Sequence, residues 1–153
     1  YVPNGRELDN DHYQYKLAWM KRLIDHLNAD TQPSNAVVVT GDYNIAPADI
    51  DVYNPADFVG ATHVSEAERQ VLRDLEAWGM VDVFREHHPD DKLFSWWDYR
   101  NNSWNKNHGL RIDYLLTNPQ ANDCLINAEL ESSNVRDQVK ASDHCPASIT
   151  LKI

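Results

Sequence analysis

The first regular pattern in the chain follows Asp9-Asn10-Asp11, where Tyr13, Leu17, Met20, Ile24 and Leu27 recur at three- and four-residue spacing. That period lays the apolar groups along one face. An amphipathic helix is therefore predicted over residues 11 to 28, closed by the polar run NADTQPSN. Val37 to Thr40 is a short β-branched run and reads as a central strand covered on both faces. Ser65 and Glu68 form an S-x-x-E capping box ahead of Val71, Leu72, Leu75 and Trp78, and Gly79 suits the end of this second helix.

Beyond Gly79 the pattern changes. LFSWW, RIDYLL, CLINAEL and ASITLKI are strand-like runs separated by turn-rich segments such as RNNSWNKNHG and TNPQAND. In the last run Ala147, Ile149, Leu151 and Ile153 alternate with Ser148, Thr150 and Lys152, which predicts one buried and one exposed face. Helices mixed with mostly non-crossover strands imply a layered α/β arrangement in which helices cover one side of a mixed sheet. No internal repeat, low-complexity tract or linker interrupts the chain.

A length of 153 residues, 42% hydrophobic and 25% charged, suits one core of ordinary size, hence one domain or a large piece of one. There is no run of about 18 apolar residues, and YVPNGRELDN lacks the basic flank and apolar segment of a secretion signal, so a soluble protein with no membrane partner is expected. Cys124 and Cys145 stand apart with no CxxC pattern, which favours free thiols and a cytoplasmic setting. The formal net charge of -10 argues against holding nucleic acid by bulk attraction. Local contacts or metal ions would have to offset that field, and acidic groups are what a hard cation such as magnesium takes as ligands.

Several residues are hard to explain as scaffold. Asp113 lies inside Ile112-Asp113-Tyr114-Leu115-Leu116, where a buried carboxylate is costly without a partner. Ser142-Asp143-His144 offers one, because a histidine oriented by a carboxylate is a common catalytic pair; the alternative is an Asp that caps a turn. Asp42 and Asn44 of GDYNIAP leave the strand on a loop, where residues two apart can face one ligand. Asp could accept a proton from water and Asn could donate to a phosphate oxygen, while an Asx turn would use the same residues structurally.

In Phe94-Ser95-Trp96-Trp97-Asp98-Tyr99, strand alternation turns the two tryptophans opposite ways, so one packs inside and the other offers a flat surface to a sugar or base. Arg100, Lys106 and Arg111 read either as a local positive patch or as a solvated basic loop. His87-His88 precede Pro89 with no third ligand at zinc spacing, so an exposed turn is expected there. Ser142 has no G-x-S-x-G elbow around it, which argues against a serine hydrolase.

YVPNG, GDYNIAP, FSWWDYR followed by GLRIDYLL, and SDHCP stand in the order seen in exonuclease III-type apurinic/apyrimidinic endonucleases, which the chain resembles. GDYN and SDH alone would point only to the larger endonuclease/exonuclease/phosphatase superfamily, with its DNase I-like enzymes, inositol polyphosphate phosphatases and sphingomyelinases. The pairing of SWWDYR with GLRID selects the DNA-repair branch. The resemblance covers residues 1–153 but only about the second half of the family's domain. It implies an α/β (α+β) fold, half of a four-layered DNase I-like sandwich, with a mixed and mainly antiparallel sheet and covering helices. The segments that supply an early asparagine and the glutamate that is the principal magnesium ligand would lie upstream.

The same resemblance implies a DNA-repair phosphodiesterase using Mg2+ or Mn2+, cutting double-stranded DNA 5′ to abasic sites and removing nucleotides at 3′ ends. Carried over, Asp42 activates or orients the attacking water and Asn44 hydrogen-bonds the phosphate. Asp113 and His144 form the pair that faces the phosphate, and Tyr1 sets its hydroxyl on a phosphate oxygen. Asp143, with Asp42 and Asn44, belongs to the metal site. Asn4 and Arg6 contact the substrate, while Trp96, Leu110 and Ile112 wall a pocket for a sugar without its base. Two alternatives stand beside this reading. One is a phosphoesterase acting on an inositol phosphate or phospholipid. The other is an inactive half that binds DNA or pairs with a second copy, since a half-sandwich would leave an apolar sheet face to be covered by a homodimer.

Overall fold

The computed structural model describes residues 1–32, 34–131 and 141–152. The first helix, α1 (Asp11–Asp30), is capped by the Asn10 side chain, which accepts from the His12 N–H. Its core-facing positions Tyr13, Met20 and Leu27 are those the helical period marked, with Lys16 buried among them. The second helix, α2 (Glu66–Trp78), has the expected capping box and stops where Gly79 takes φ 114°. A positive φ of that kind suits glycine at a helix end.

Between and after the helices run β1 (Val38–Asp42), β2 (Val81–Asp82), the short α3 (Val83–His87), β3 (Trp96–Trp97), β4 (Gly109–Leu110), β5 (Asp113–Thr117), α4 (Pro119–Asn122), β6 (Leu125–Leu130) and β7 (Ala147–Leu151). They form a β1-β5-β2 sheet and two ribbons, β3-β4 and β6-β7, and every named pairing is antiparallel. Helices α1 and α2 cover one face of the main sheet. Tyr114 and Leu116 of β5 point to that side, into a cluster with Met20, Leu27, Leu72 and Leu75. Leu115, one residue out of phase, points the other way and packs with Val83 and Ala128. This is the two-residue alternation of a strand with both faces occupied.

Four expectations change. The strand expected to be central is an edge: β1 pairs only with β5 among the named strands, and Val38 is 38% exposed. The fully covered strand is β5, whose continuous apolar run Tyr114-Leu115-Leu116 is the pattern expected of a strand buried on both faces. In β7, Ala147, Ile149 and Leu151 are half-buried rather than buried, while Ser148, Thr150 and Lys152 are exposed as predicted; Ile153 lies outside the described residues. His87 and His88 are not a turn: His87 ends α3 and His88 caps it, its ring stacked on Phe84.

Arg111 is the fourth. It is 1% exposed and belongs to no surface patch. Its Nε donates to Asp51 Oδ1 at 2.6 Å and its Nη1 to Asp82 Oδ2 at 2.7 Å, while Arg85 adds a second guanidinium to Asp51 at 2.7 Å. The planar fork presents separate, fixed donors to two carboxylates on separate segments. In GLRID, then, the arginine is scaffold that fixes the entry to β5.

Candidate active site

GDYNIAP turns sharply as it leaves β1, and Asn44 sits at φ 52°, a left-handed conformation that asparagine tolerates better than most residues. The Asn44 backbone N–H donates to Asp42 Oδ1 at 2.7 Å, and its side-chain amide donates to Asp42 Oδ2 at 2.9 Å. The same amide donates to Val2 O at 2.9 Å, and its Oδ1 accepts from Asn4 Nδ2 at 3.2 Å. The Asx turn and the candidate site are thus one object. Both hydrogens of the Asn44 amide are engaged, so donation to a phosphate requires one of these bonds to be given up.

The wall beside it starts at the Arg111 anchor and is tied together by Ser95 and the main chain. Ser95 Oγ accepts the N–H groups of Ile112 and Asp113, both at 3.0 Å, and Ser95 O accepts from Cys145 N at 2.8 Å. Trp97 N donates to Asp143 O at 3.0 Å. These bonds seat SDHCP beside the start of β5 and bring His144 Nδ1 to 2.9 Å from Asp113 Oδ2. With Nδ1 facing the carboxylate, Nε2 is the nitrogen left for the pocket. Burial opposes a charge on the His144 ring, but the Asp113 bond and the neighbouring carboxylates outweigh it and raise the pKa above its ordinary value. Asp42 is also raised, first by burial and then by Asp113, with the Asn44 bond, His144 and Lys16 pulling the other way.

A pocket of about 500 Å³ lies between the walls, bordered by Tyr1, Asn4, Arg6, Asp42, Asn44, Trp96, Ile112, Asp143 and His144 of the residues singled out from the sequence. Asp113 stands behind His144. Leu110 is 1% exposed and borders an adjoining pocket that shares Trp96, His63 and Arg100 with this one. Trp97 is buried and Trp96 only partly so, as alternation requires. The sequence reading missed Thr62 and His63 on the pocket wall and the buried Lys16 and Glu68 behind it. For Lys16 a signal existed: a lysine in phase with Tyr13 and Met20 on the core face of α1.

Magnesium prefers near-octahedral oxygen ligands with at least one or two carboxylates. Here Asp42 binds Asn44 through both oxygens, Asp143 Oδ2 accepts Trp96 Nε1 at 3.0 Å, and no group of three or more His, Cys, Asp or Glu side chains among the described residues converges as a metal cage. Asp42 and Asp143 border the pocket and are the carboxylates that would hold such an ion, as a partial ligand set and not a closed cage. No described helix is long and apolar enough to cross a membrane.

An aspartate held by an asparagine turn, facing an imidazole backed by a carboxylate across one pocket, is the equipment of phosphate-ester chemistry: one group can orient water and the other can meet developing charge. Residues 3–144 match the Endonuclease/Exonuclease/phosphatase family, and the chain belongs to that family. It is 32% identical to an exodeoxyribonuclease of Bacillus subtilis, over 100% of this chain and 58% of the relative. Among solved structures it is similar to an AP endonuclease from Archaeoglobus fulgidus (TM-score 0.93, 30% identity, 100% of this chain and 60% of that one). A 3′ phosphatase from Neisseria, solved with a product DNA hairpin, is equally similar (TM-score 0.94, 31% identity, 100% and 59%). The chain therefore spans somewhat over half the length of these relatives. The mixed α/β fold with antiparallel sheets and covering helices is the DNase I-like fold of the AP endonucleases.

Proposed function

We propose that this chain carries the phosphate-facing part of a DNA phosphodiesterase site, acting 5′ to abasic sites or at 3′ ends. The observation that carries the reading is the convergence of the Asp42–Asn44 turn and the Asp113–His144 pair on one pocket. Asp42 is set to hold a water, and a charged His144 to meet negative charge as it builds on the phosphate. Tyr1, which is 91% exposed, and Arg6 are free to close on phosphate oxygens, while Trp96 and Ile112 give the pocket an apolar flank for a sugar. An extruded sugar without a base is cheap to flip and small enough to enter.

A second reading has its own observation. With no converging group of three metal-ligating side chains among the described residues, the chain would bind DNA through this pocket and turn over none of it. One panel separates the readings: duplexes with an abasic analogue, a recessed 3′ end or no lesion, beside inositol phosphate and phospholipid, with magnesium or manganese added. Incision at the lesion supports the first reading. Lesion-selective binding without incision supports the second, and hydrolysis of only the non-DNA esters overturns both.

A further inference from the structure

Lys16 is 0% exposed in the side chain, as is its partner Glu68, and the two lie 2.5 Å apart. A buried ion pair is a poor way to join two helices, because desolvating both charges offsets most of their attraction and apolar residues of similar size often do as well. The contact between α1 and α2 already has Met20, Leu27, Leu72 and Leu75. What the pair adds is direction. Lys16 Nζ also donates to the carbonyl oxygen of Asn44 at 2.6 Å, and His63 Nδ1 meets the same oxygen at 2.6 Å. Glu68 in turn accepts from Thr62 Oγ1, His63 N, Ser65 N and Ser65 Oγ, at 2.7 to 3.1 Å. The capping-box glutamate thus holds both the ammonium and the segment that supplies the second donor.

Asn44 is the residue that needs holding. Its φ of 52° is off the common backbone basins, and its N–H and side-chain amide both bind the Asp42 carboxylate. With the carbonyl drawn inward, that peptide cannot rotate without breaking a charge-assisted bond in a dry interior. We propose that Lys16 is a positioning residue: paired with Glu68, it anchors the Asn44 carbonyl and so fixes the Asn44 amide on Asp42 at the pocket edge. Its effect on turnover rests on the phosphodiesterase reading; its effect on Asn44 does not.

The test compares the wild type with the double variant Lys16→Met/Glu68→Gln, which removes both charges together and leaves no unpaired ion. The readouts are thermal melting and hydrogen exchange of the 15N-labelled Asn44 side-chain and backbone amides, with the Asn118 side-chain amide, held by Asn35 O at 2.6 Å, as internal control. Melting should stay within a few degrees, while Asn44 exchange rises about tenfold or more, the scale of one lost charged hydrogen bond. Asn118 should not change. Any DNA cleavage should lose kcat by about 10- to 100-fold with KM within about threefold, for the same lost interaction. Unchanged Asn44 exchange in a folded double variant overturns the proposal. If the variant does not fold, the unaltered protein decides: a slowly exchanging Lys16 ammonium with a cross-hydrogen-bond coupling to the Asn44 carbonyl carbon supports it, and a freely exchanging ammonium overturns it. A protein that cleaves no DNA ester leaves the exchange readout intact, so the two readings fail separately.

Discussion

The two walls of the pocket hold similar carboxylates by opposite means. The Asp42–Asn44 turn is backed by a charge pair inside the protein, Lys16 with Glu68. The Asp113–His144 pair is backed by main-chain hydrogen bonds through one neutral hydroxyl, that of Ser95. A bend tied to a buried ion can be held in an unusual backbone conformation, but its geometry depends on the ion staying charged. The serine that pins the strand start is neutral, and although Arg111 anchors the residues just before it, two bonds are lost at once if the hydroxyl goes. Each wall should therefore fail in its own way.

The largest effect expected is chemical. Where the protein cleaves DNA, His144→Ala and Asp42→Asn should each lower kcat by roughly 10²- to 10⁴-fold, the range for a positioned acid, base or charge stabiliser. Circular dichroism should stay close to wild type for both; melting should hold for Asp42→Asn and fall modestly for His144→Ala, which leaves Asp113 without its ring. A loss below about fivefold in single-turnover assays would remove those roles. The two variants also sharpen the contrast between walls, since Asp42→Asn keeps a group Asn44 can still bind while His144→Ala leaves Asp113 without its ring.

Next in size is Ser95→Ala. Ser95 is 0% exposed and accepts two N–H groups, that of Ile112 buried and that of Asp113 partly so, and leaving a buried donor unsatisfied costs about 1 to 3 kcal/mol. For a domain of this length each kcal/mol is about 2 to 4 °C, so a fall in melting temperature of roughly 4 °C or more is expected. Because Ile112 and Asp113 are the donors, the Asp113–His144 wall should loosen while Asn44 exchange stays as in the wild type. Loosening of both walls together would show that they are not anchored separately.

Much of this was legible in the sequence, for identifiable reasons. Tyr13, Met20 and Leu27 mark α1 because a helix that buries one face must repeat it, and the Ser65–Glu68 box marks the start of α2. The edge position of β1 is not legible, because Val37-Val38-Val39 looks the same in an edge strand as in a central one; neighbours, not the run itself, decide. Asp113 stands out in the sequence as a carboxylate inside an apolar run, Asp42 and Asn44 as polar groups leaving a strand, and Ser142-Asp143-His144 as a donor-rich motif, while their roles come from the family resemblance. Arg111 was read as surface because its partners Asp51 and Asp82 are 60 and 29 residues away, and only the fold brings them together. Lys16 and Glu68 each leave a trace in the sequence, but their pairing across 52 residues is hidden for the same reason.

The smallest effect is a shift in one titration, and it isolates the Asp113–His144 wall. The raised pKa of His144 means the folded protein favours the charged ring. Stability from that pair is then fully present below the ordinary histidine value and declines as pH rises through the raised value of the folded state. The ring carbons of His144, followed by NMR, should titrate above a free imidazole. Asp113→Asn should move the midpoint down, since burial then acts on the ring with its closest carboxylate removed. The double variant at Lys16 and Glu68 should hardly move it, because the main cause of the shift lies in the Asp113 bond and not in the charge beneath Asn44. If His144 instead follows the Lys16–Glu68 pair as strongly as it follows Asp113, the two walls are one electrostatic unit, and the separate anchoring inferred from their hydrogen bonds does not govern the site.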